Sequence, residues 1–291
     1  MRKALVVLAI AAAALAVAAS ALSTPSRHAA LSASCAKADL KLVHDGQLTV
    51  GTDNPAYPPW YAGGSPKGSK WKVNDPSTGK GFESAVAYAV AKHLGFAKSA
   101  VAWTYVPFNR SFAPGPKAFD FDINQISYTA ARAKVVTFSS SYYDVNQAIV
   151  VLQGTKIAKV RSIAGLKGFQ LGAQLGTTSY QFITSTIKPS SQPKVFPQNA
   201  SAVEALKNKQ IDGLVVDLPT AFYVTAVQVP HSTILGQFPS TTGEHFGMVF
   251  AKGNPLAACV NGALATLKRN GTLGKIQQQW LAKATGAPVL R

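Results

Sequence analysis

DINQISYTAARAKVVTFSSSYYD, residues 122–144, is the stretch that indicates most about the fold and chemistry of this chain. A polar strand leads into Ser127 and Thr129, and Arg132 follows three residues later. A guanidinium just after the end of a strand, beside two hydroxyls, suits a small carboxylate, because its planar fork can donate to both oxygens at once. The alternative is a solvated arginine after a turn. The rest of the chain decides between these two interpretations.

The N-terminus has the pattern of a secretory signal peptide. The chain begins MRK, and residues 4–19 carry no charge and no proline before small residues follow. We therefore predict that residues 1–34 are a signal peptide and N-terminal tail, and that the protein works outside the cytoplasm, in the periplasm or at the cell surface. One alternative is an uncleaved membrane anchor, because the apolar stretch is about as long as a short span. Another is a lipid on Cys35, which lacks the expected leucine because Ser32 stands three residues before it.

The composition is that of a folded α/β protein with a basic surface. Hydrophobic residues make up 47% of the chain, which excludes a disordered or collagen-like protein. The length after residue 34 predicts two domains or lobes. Without residues 1–34, lysine and arginine total 26 against 12 acidic residues, a net charge of +14. The basic residues are scattered, so we predict a solvated basic surface rather than a nucleic-acid-binding protein.

Apolar periodicity and turn residues predict an alternation of strands and helices. Strands are expected at 48–52, 103–106, 120–126, 148–152, 170–173, 211–216 and 246–251, and helices at 83–95, 178–187, 201–209, 219–226, 255–269 and 273–284. Residues 109–117 are rich in proline and glycine and are not expected to form a regular helix. Strands that alternate with helices predict mostly parallel sheets with helices on both faces.

A series of short motifs occurs in a fixed order along the chain. They are Gly51, Thr52 and Asp53 with Tyr57 and Trp60; Gly81, Phe82 and Glu83; Ser127, Thr129 and Arg132 with Phe138, Ser139, Tyr142 and Tyr143; Gly176, Thr177 and Thr178; Gly213–Asp217; and Gly271 and Thr272 through to Trp280. Together, and in this order, they resemble the motifs of the extracellular solute-binding proteins of family 3, the polar amino-acid group that serves ABC importers.

That resemblance implies an α/β fold of the periplasmic-binding-protein type II, in which two crossover strands join two lobes and a ligand cleft lies between them. One lobe would span residues 36–144 plus 247–287, and the other residues 148–242. The implied function is the capture of a free amino acid for an ABC permease in the membrane. The protein would be a monomer that needs no cofactor or metal and binds no nucleic acid.

The resemblance also implies how the two ends of the ligand are held. Hydroxyl, guanidinium and helix-start N–H donors would hold the α-carboxylate. These residues are Ser127, Thr129 and Arg132 from one lobe and Gly176, Thr177 and Thr178 from the other. Asp217, with the carbonyl region of Gln125, would accept from the α-ammonium; the alternative for Asp217 is a cap on the helix that follows. Tyr57, Trp60 and Phe108 would form an apolar wall, and core packing is the alternative for Trp60.

Three carboxylates, Asp53, Glu83 and Asp122, are candidates to face the ligand's side chain. A desolvated carboxylate without a partner is costly, so surplus negative charge there would favour a cationic or neutral polar side chain over an acidic or branched aliphatic one. The alternative is that Asp53 and Glu83 cap a turn and a helix start. The family's usual second acid after Glu83 is missing, and Asp122 stands where an aliphatic residue is usual, so these carboxylates bear on side-chain specificity.

The two cysteines, Cys35 and Cys259, are predicted to form a disulfide. An even count in an oxidising compartment favours one bridge, and the family layout places both segments in the first lobe. Two free buried thiols are the alternative.

An enzyme is the other class of function that we considered. The five histidines show no metal-ligand spacing, and the chain has no G-x-S-x-G motif, P-loop or G-x-G-x-x-G motif. We therefore predict no catalytic residues. The alternative is an enzyme on the same fold, similar to a cyclohexadienyl dehydratase, in which Glu83 or Asp122 would transfer a proton.

Overall fold

The chain folds around two five-stranded sheets. The computed structural model describes residues 35–238, 243–282 and 286–291. The predicted signal peptide, residues 1–34, lies outside these ranges and stays a prediction. Within them, no helix combines the length and the apolar character that crossing a membrane requires.

The regular elements follow the predicted alternation. The strands are β1 Leu48–Thr52, β2 Val101–Tyr105, β3 Phe121–Asp122, β4 Val136–Phe138, β5 Tyr143–Asp144, β6 Gln147–Leu152, β7 Leu171–Gln174, β8 Lys194–Phe196, β9 Gly213–Asp217, β10 Ser232–Phe238, β11 His245–Phe246 and β12 Val249–Ala251. The α-helices are α1 Phe82–His93, α2 Phe108–Ser111, α3 Ala130–Val135, α4 Thr178–Phe182, α5 Asn199–Lys207, α6 Leu218–Tyr223, α7 Leu256–Arg269 and α8 Thr272–Leu281. The helices α4 and α6 continue directly into π-helical turns, Ile183–Ile187 and Val224–Gln228.

Both sheets are mixed, so the prediction of mostly parallel sheets holds only in part: in each sheet four strands run in one direction and the fifth, β12 or β6, runs against them. In the first sheet, ordered β2-β1-β3-β12-β4, β1 is parallel to β2 and β3, and β12 is antiparallel to β3 and β4. In the second, ordered β10-β6-β9-β7-β8, β7 is parallel to β8 and β9, and β6 is antiparallel to β9 and β10. The path of the chain is the cause, because β6 and β12 each enter a sheet just after a crossover and run against their neighbours.

Two crossover strands join the sheets. The strand β5 leads from β4 to β6, and β11 leads from β10 back to β12. The two crossovers pair antiparallel, with Tyr143 opposite Phe246 and Asp144 opposite His245. This confirms the predicted α/β fold with two crossover strands. We call each sheet, together with the helices packed on it, the first and the second lobe.

The lobe bounds inferred from the resemblance stay a prediction. The last described residues, 286–291, run beside β10, where the Leu290 N–H donates to the Gln237 carbonyl at 3.0 Å. Leu290 is buried in an apolar cluster of the second lobe. The C-terminal end therefore packs on the second lobe, although α7 and α8 pack on the first.

Strand β6 explains why the second lobe has apolar side chains on both faces of its sheet. Ala148 and Val150 belong to one buried cluster, whereas Ile149 and Val151 belong to another. Successive side chains of a strand point to opposite faces. A continuous apolar run therefore indicates a strand covered on both sides.

The first lobe is held together by an apolar core and a disulfide. Phe82 and Val90 of α1 and Val260 of α7 are all fully buried in that core. Cys259 of α7 is bonded to Cys35, with 5.5 Å between the two Cα atoms. This confirms the predicted disulfide, which ties the start of the described chain to the first lobe.

The strands missing from the sequence prediction are β4, β8 and β10. Each lies at the edge of its sheet, and each is only partly buried. Edge strands bury less apolar surface, so their sequences carry a weaker signal. The predicted strand at 120–126 is also shortened to β3, because the chain leaves the ladder and Gln125 takes a left-handed backbone conformation, φ 48°.

Candidate functional site

A cleft lies between the two lobes, beyond the carboxyl ends of β1, β3, β7 and β9. This is the place where ligands bind in open α/β sheets. Ten of the thirteen predicted ligand residues line it: Asp53, Tyr57, Trp60, Phe108, Gln125, Ser127, Arg132, Thr177, Thr178 and Asp217. Residues that are far apart in the sequence therefore lie together in this cleft.

Arg132 is the buried cation of the cleft. It is 7% exposed and stands in the first turn of α3, which Thr129 caps by accepting from the Arg132 N–H at 3.1 Å. Its guanidinium donates to the carbonyls of Ser127 at 2.6 Å and Gly176 at 2.7 Å, and it lies 4.1 Å from the centre of the Phe112 ring. Burial lowers the pKa of Arg132 to about 10, so the side chain is still charged at neutral pH.

The direct hydrogen-bond partners of Arg132 are neutral, although the nearby Glu244 and Asp217 carboxyls favour its charge. Across the described ranges, no carboxylate oxygen lies within salt-bridge distance of its guanidinium. A buried charge is stable only when it is paired or fully hydrogen-bonded. Carbonyl oxygens supply part of this, and an anion in the cleft would supply the rest.

Residues at the start of α4 approach Arg132 from the second lobe. Thr177 caps α4 by accepting from the Tyr180 N–H at 3.1 Å. The Thr178 hydroxyl lies 3.3 Å from the Ser127 hydroxyl of the first lobe. First-turn N–H groups have no partner inside a helix and favour an anion. Hydroxyls, a guanidinium and helix-start N–H groups therefore meet around one point of the cleft.

Asp217 forms the opposite charge of the cleft. It is partly buried at the end of β9, and its carboxyl accepts from the Gln147 amide at 2.8 Å. Burial, followed by the nearby Glu244 charge, raises the pKa of Asp217 to about 8. The alternative role as a cap on α6 finds no support, because the Asp217 side chain makes no capping hydrogen bond there.

Gln147 and Glu244 are residues of the site that the sequence interpretation missed. Gln147 is the first residue of β6, and Glu244 stands just before β11, so the two occupy the two crossovers. The Gln147 amide lies 3.1 Å and 3.2 Å from the two Glu244 oxygens. Their position beside the predicted crossovers was the available signal, because polar residues at a crossover face both lobes.

The aromatic wall crosses from one lobe to the other. The Trp60 indole N–H donates to the Thr220 hydroxyl of α6 at 3.1 Å, and the Tyr57 ring lies 6.1 Å from that of Tyr223. Trp60 is only 2% exposed, and its ring also contacts Phe246 at 5.6 Å. Trp60 is therefore both a core residue and a cleft residue, so neither interpretation of it excludes the other.

Further along the cleft the lining is polar. Asp53 accepts from the Asn54 N–H at 2.8 Å, and burial raises the pKa of its carboxyl. Second-lobe amides also line the cleft: Gln174, Gln198, Asn199 and Gln228. Within the described part of the chain, Arg132 is the only cationic side chain in this lining. The cleft therefore offers a distal carboxylate no second cation.

Three predicted ligand residues do not line the cleft: Glu83, Thr129 and Gly176. Thr129 and Gly176 contact Arg132 instead, as described above. Glu83 is fully buried, and its carboxylate accepts from the Gln125 N–H at 2.7 Å, from the Gln125 amide and from the Tyr142 hydroxyl. Burial raises the pKa of Glu83 to about 7. It holds Gln125 in its left-handed conformation, so these residues support the cleft from outside.

Asp122 lies outside the cleft lining as well. It is fully buried on β3, and burial raises the pKa of its carboxyl well above the usual range. Of the three carboxylates expected near the ligand's side chain, only Asp53 lines the cleft. In the ranges that the structure describes, no group of three or more metal-ligating residues comes together.

Known proteins resemble this chain over most of its length. The sequence profile of the bacterial extracellular solute-binding proteins, family 3, matches residues 48–283. The chain is 27% identical to the L-cystine-binding protein TcyJ of Escherichia coli (strain K12), over 82% of this chain and 84% of that protein. It is 29% identical to the ABC transporter glutamine-binding protein GlnH of Bacillus subtilis (strain 168), over 72% and 76%. A solved structure, an ancestral arginine-binding protein bound to glutamine, is 31% identical, with a TM-score of 0.67 over 81% of this chain and 98% of that one.

Proposed function

The chain belongs to the bacterial extracellular solute-binding proteins of family 3, and we propose that it captures a free amino acid outside the cytoplasm for an ABC permease. One observation carries the proposal. A buried guanidinium, Arg132, which has no direct salt bridge to a described residue, and a partly buried carboxyl, Asp217, line the same cleft. A molecule with a carboxylate and an ammonium on one carbon would satisfy both.

Each half of the clamp comes from a different lobe. Arg132 would hold the ligand's carboxylate from the first lobe, and Thr178 from the second, while the Ser127 hydroxyl beside them donates to Glu244. Asp217 of the second lobe would accept from the ammonium. A ligand held in this way bridges the lobes, so binding would favour the closed arrangement. A closed monomer with its ligand is the form that we propose the permease receives.

The lining favours a polar or cationic side chain on the ligand. Arg132 is already matched to the α-carboxylate, so an acidic side chain would bring a second carboxylate with no cation to pair with. Asp53 and the amides that line the cleft would instead accept from an ammonium, guanidinium or amide group. The ligands named for the relatives, arginine, glutamine and cystine, are all polar. Of these, cystine fits least well, because it carries a second carboxylate.

The dehydratase alternative gains no support from the site. It required a proton-transfer group in the cleft, and its two candidates were Glu83 and Asp122. Both are fully buried outside the cleft lining. A group that cannot reach the ligand cannot transfer a proton to it.

A thermal-shift screen of the twenty amino acids with ornithine and cystine tests the proposal. A ligand at one hundred times its Kd stabilises the protein by about 2.7 kcal/mol, or roughly 5–10 °C for a chain of this size. We expect shifts of this size with arginine, lysine, histidine or glutamine, and none with glutamate or leucine. No shift with any amino acid would overturn the function. A shift with glutamate or leucine alone would overturn only the side-chain assignment.

A further inference from the structure

Glu244, on the second crossover, contacts groups that belong to both ends of the ligand site. Its Oε1 accepts from the Ser127 hydroxyl at 2.7 Å and from the Gln147 amide at 3.1 Å. Ser127 belongs to the carboxylate side of the cleft. Gln147 holds Asp217, which belongs to the ammonium side. One side chain at the hinge thus links the two halves of the clamp.

The orientation of the Gln147 amide is fixed by a further contact. The Ser179 hydroxyl donates to the Gln147 Oε1 at 2.6 Å, and Ser179 is only 4% exposed. The Nε2 group therefore points the other way, toward the two carboxyl groups. An amide NH₂ has two hydrogens, and here one serves Asp217 at 2.8 Å and the other serves Glu244. A single amide bridges two acids.

The charges around Asp217 are unbalanced. Glu244 faces it from the second crossover and Glu83 from α1, and both oppose its ionisation. Arg132 of α3 acts in the opposite direction and favours the ionised carboxyl. Tyr143 of β5 also lies nearby, and because burial raises the pKa of Tyr143 to about 12 it remains neutral. An ammonium that enters this site meets two acids bridged by one amide.

We propose that Glu244 is a positioning residue of the ammonium site: it holds Gln147 and Ser127 in place, so that the amide bridges Glu244 and Asp217. The Glu244 charge also adds to burial in raising the pKa of Asp217, so that Asp217 keeps its proton until the ligand's ammonium arrives. The proton then leaves Asp217 for solvent, and an ammonium N–H takes its place against the carboxylate. No bond other than this O–H bond is broken. The inference rests on the proposed function, because it takes the ligand to carry an α-ammonium.

The sign of the resulting pH dependence follows from the pKa of Asp217, which is about 8 in the ligand-free protein. Below this pH the empty site holds the proton and binding must release it. The apparent Kd therefore rises as the pH falls, by up to about tenfold per pH unit. Without the charge of Glu244, the pKa of Asp217 falls and the weakening begins at lower pH.

Glu244→Gln is the variant that tests this role, because it keeps the size of the side chain and removes its charge. Asp144→Asn is the matched control: Asp144 lies on the other crossover, is exposed, and accepts from the Ser141 hydroxyl at 2.8 Å. Calorimetric Kd values from pH 5.5 to 9, in two buffers of different ionisation enthalpy, give affinity and protons released. We expect wild type and Asp144→Asn to release close to one proton at pH 7, and Glu244→Gln to weaken about one pH unit lower. A pH profile unchanged by Glu244→Gln would overturn the proposal.

A measurement on the ligand-free protein separates this proposal from the proposed function. Carbon-13 NMR of the Asp217 carboxyl group should show a titration near pH 8 in wild type and a lower one in Glu244→Gln. If no amino acid binds and this titration is as expected, the proposed function fails and the positioning role stands. If an amino acid binds and Asp217 titrates near pH 4 in wild type, the positioning role fails and the function stands. Should Glu244→Gln fail to fold, a wild-type titration of Asp217 near pH 4 would still overturn the positioning role.

Discussion

The two charged ends of the cleft are built in opposite ways. At one end Arg132 is buried with carbonyl oxygens and an aromatic ring around it, and no carboxylate of the described chain pairs with it. At the other end Asp217 shares one amide with a second acid, Glu244. At the first end, a buried guanidinium has no carboxylate of the described residues within salt-bridge distance. At the second end, two neighbouring carboxyl groups share one amide donor group.

This difference decides which end is charged before the ligand arrives. The pKa of Arg132 is lowered only to about 10, so the guanidinium is charged at any physiological pH. The pKa of Asp217 is raised to about 8, so its carboxyl is mostly neutral at pH 7. The lesson is that burial alone does not set the charge of a site, because the same loss of water leaves one group ionised and neutralises the other. Substitutions at each end should therefore differ in both size and pH dependence.

Arg132→Ala should have the largest effect on binding. It removes the proposed partner of the ligand's carboxylate, and we expect the affinity for the best amino acid of the screen to fall by about 2–5 kcal/mol. The loss should be larger at pH 7 than at pH 9 or above, because Arg132 lowers the pKa of Asp217 and its removal leaves Asp217 protonated to higher pH. Calorimetry on the purified protein measures it.

Arg110→Ala is the matched control for that variant, because it removes the same charge from an exposed position on α2. Its affinity should remain within about 0.5 kcal/mol of wild type. Equal losses in the two variants would mean that net charge, rather than the clamp, attracts the ligand.

Asp217→Asn should weaken binding less, by about 1.5–3 kcal/mol at pH 8, because it removes a charge-assisted hydrogen bond from the ammonium. It should also abolish the rise in Kd at low pH. Asp212→Asn, at an exposed acid that accepts from the Gln170 N–H, should change neither quantity. A pH dependence that survived Asp217→Asn would place the titrating group elsewhere.

The same variant should change the stability of the ligand-free protein in the opposite direction. The Asp217 carboxyl ionises near its usual pKa of 3.8 in the unfolded chain but only near 8 in the folded protein. Its contribution to stability is therefore present at low pH and lost as the pH rises between these values. We expect ligand-free Asp217→Asn to unfold at a higher temperature than wild type at pH 8, by a few degrees, and calorimetric scans at pH 5 and 8 measure this.

Gly176→Ala tests the contact between the second lobe and Arg132, because the Gly176 carbonyl accepts from the guanidinium. Gly176 has a left-handed φ of 78°, and a Cβ there would lie 2.4 Å from the Asn109 Oδ1 of the first lobe. We expect a loss of affinity of about 1–2 kcal/mol. Gly154→Ala is the control, because Gly154 has a similar φ of 75° but nothing within 4 Å of an added Cβ. Both variants should lose stability, and only Gly176→Ala should lose affinity.

Thr220→Val has the smallest expected effect. It removes the acceptor of the Trp60 indole N–H, a hydrogen bond that spans the cleft at 3.1 Å. We expect a loss of affinity of about 0.5–1.5 kcal/mol, with the pH dependence unchanged. Thr225→Val changes a hydroxyl that bonds only to the backbone of α6, and it should bind as wild type. Equal affinity in the two variants would show that this contact does not stabilise the closed cleft.

The sequence predicted the residues that lie around Arg132 better than those that lie around Asp217. Arg132, Ser127 and Thr178 stand in contiguous motifs, so their spacing was visible in the chain. Gln147 and Glu244 are 97 residues apart, and only the pairing of β5 with β11 brings them together. A pattern within a short stretch of sequence could not predict that these two residues contact each other.

The buried carboxylates also show what the sequence alone could not predict. The sequence indicated that Asp53, Glu83 and Asp122 needed partners or a ligand, but it could not indicate which of them faced the cleft. Glu83 instead supports Gln125, whose backbone is left-handed and whose N–H donates to the Glu83 carboxylate. The sequence predicted a fold with two crossover strands. It did not predict the antiparallel strands β6 and β12, because strand direction depends on where the chain crosses between the lobes.

The most direct test is calorimetry at pH 7 with the best amino acid of the screen, its α-carboxamide and its N-acetyl derivative. If the cleft recognises a carboxylate with Arg132 and an ammonium with Asp217, removing either charge from the ligand should cost at least about 2 kcal/mol, or roughly thirtyfold in Kd. We expect both derivatives to bind at least that much more weakly than the parent. A derivative that binds as tightly as the parent would contradict the clamp at the end where its charge was removed.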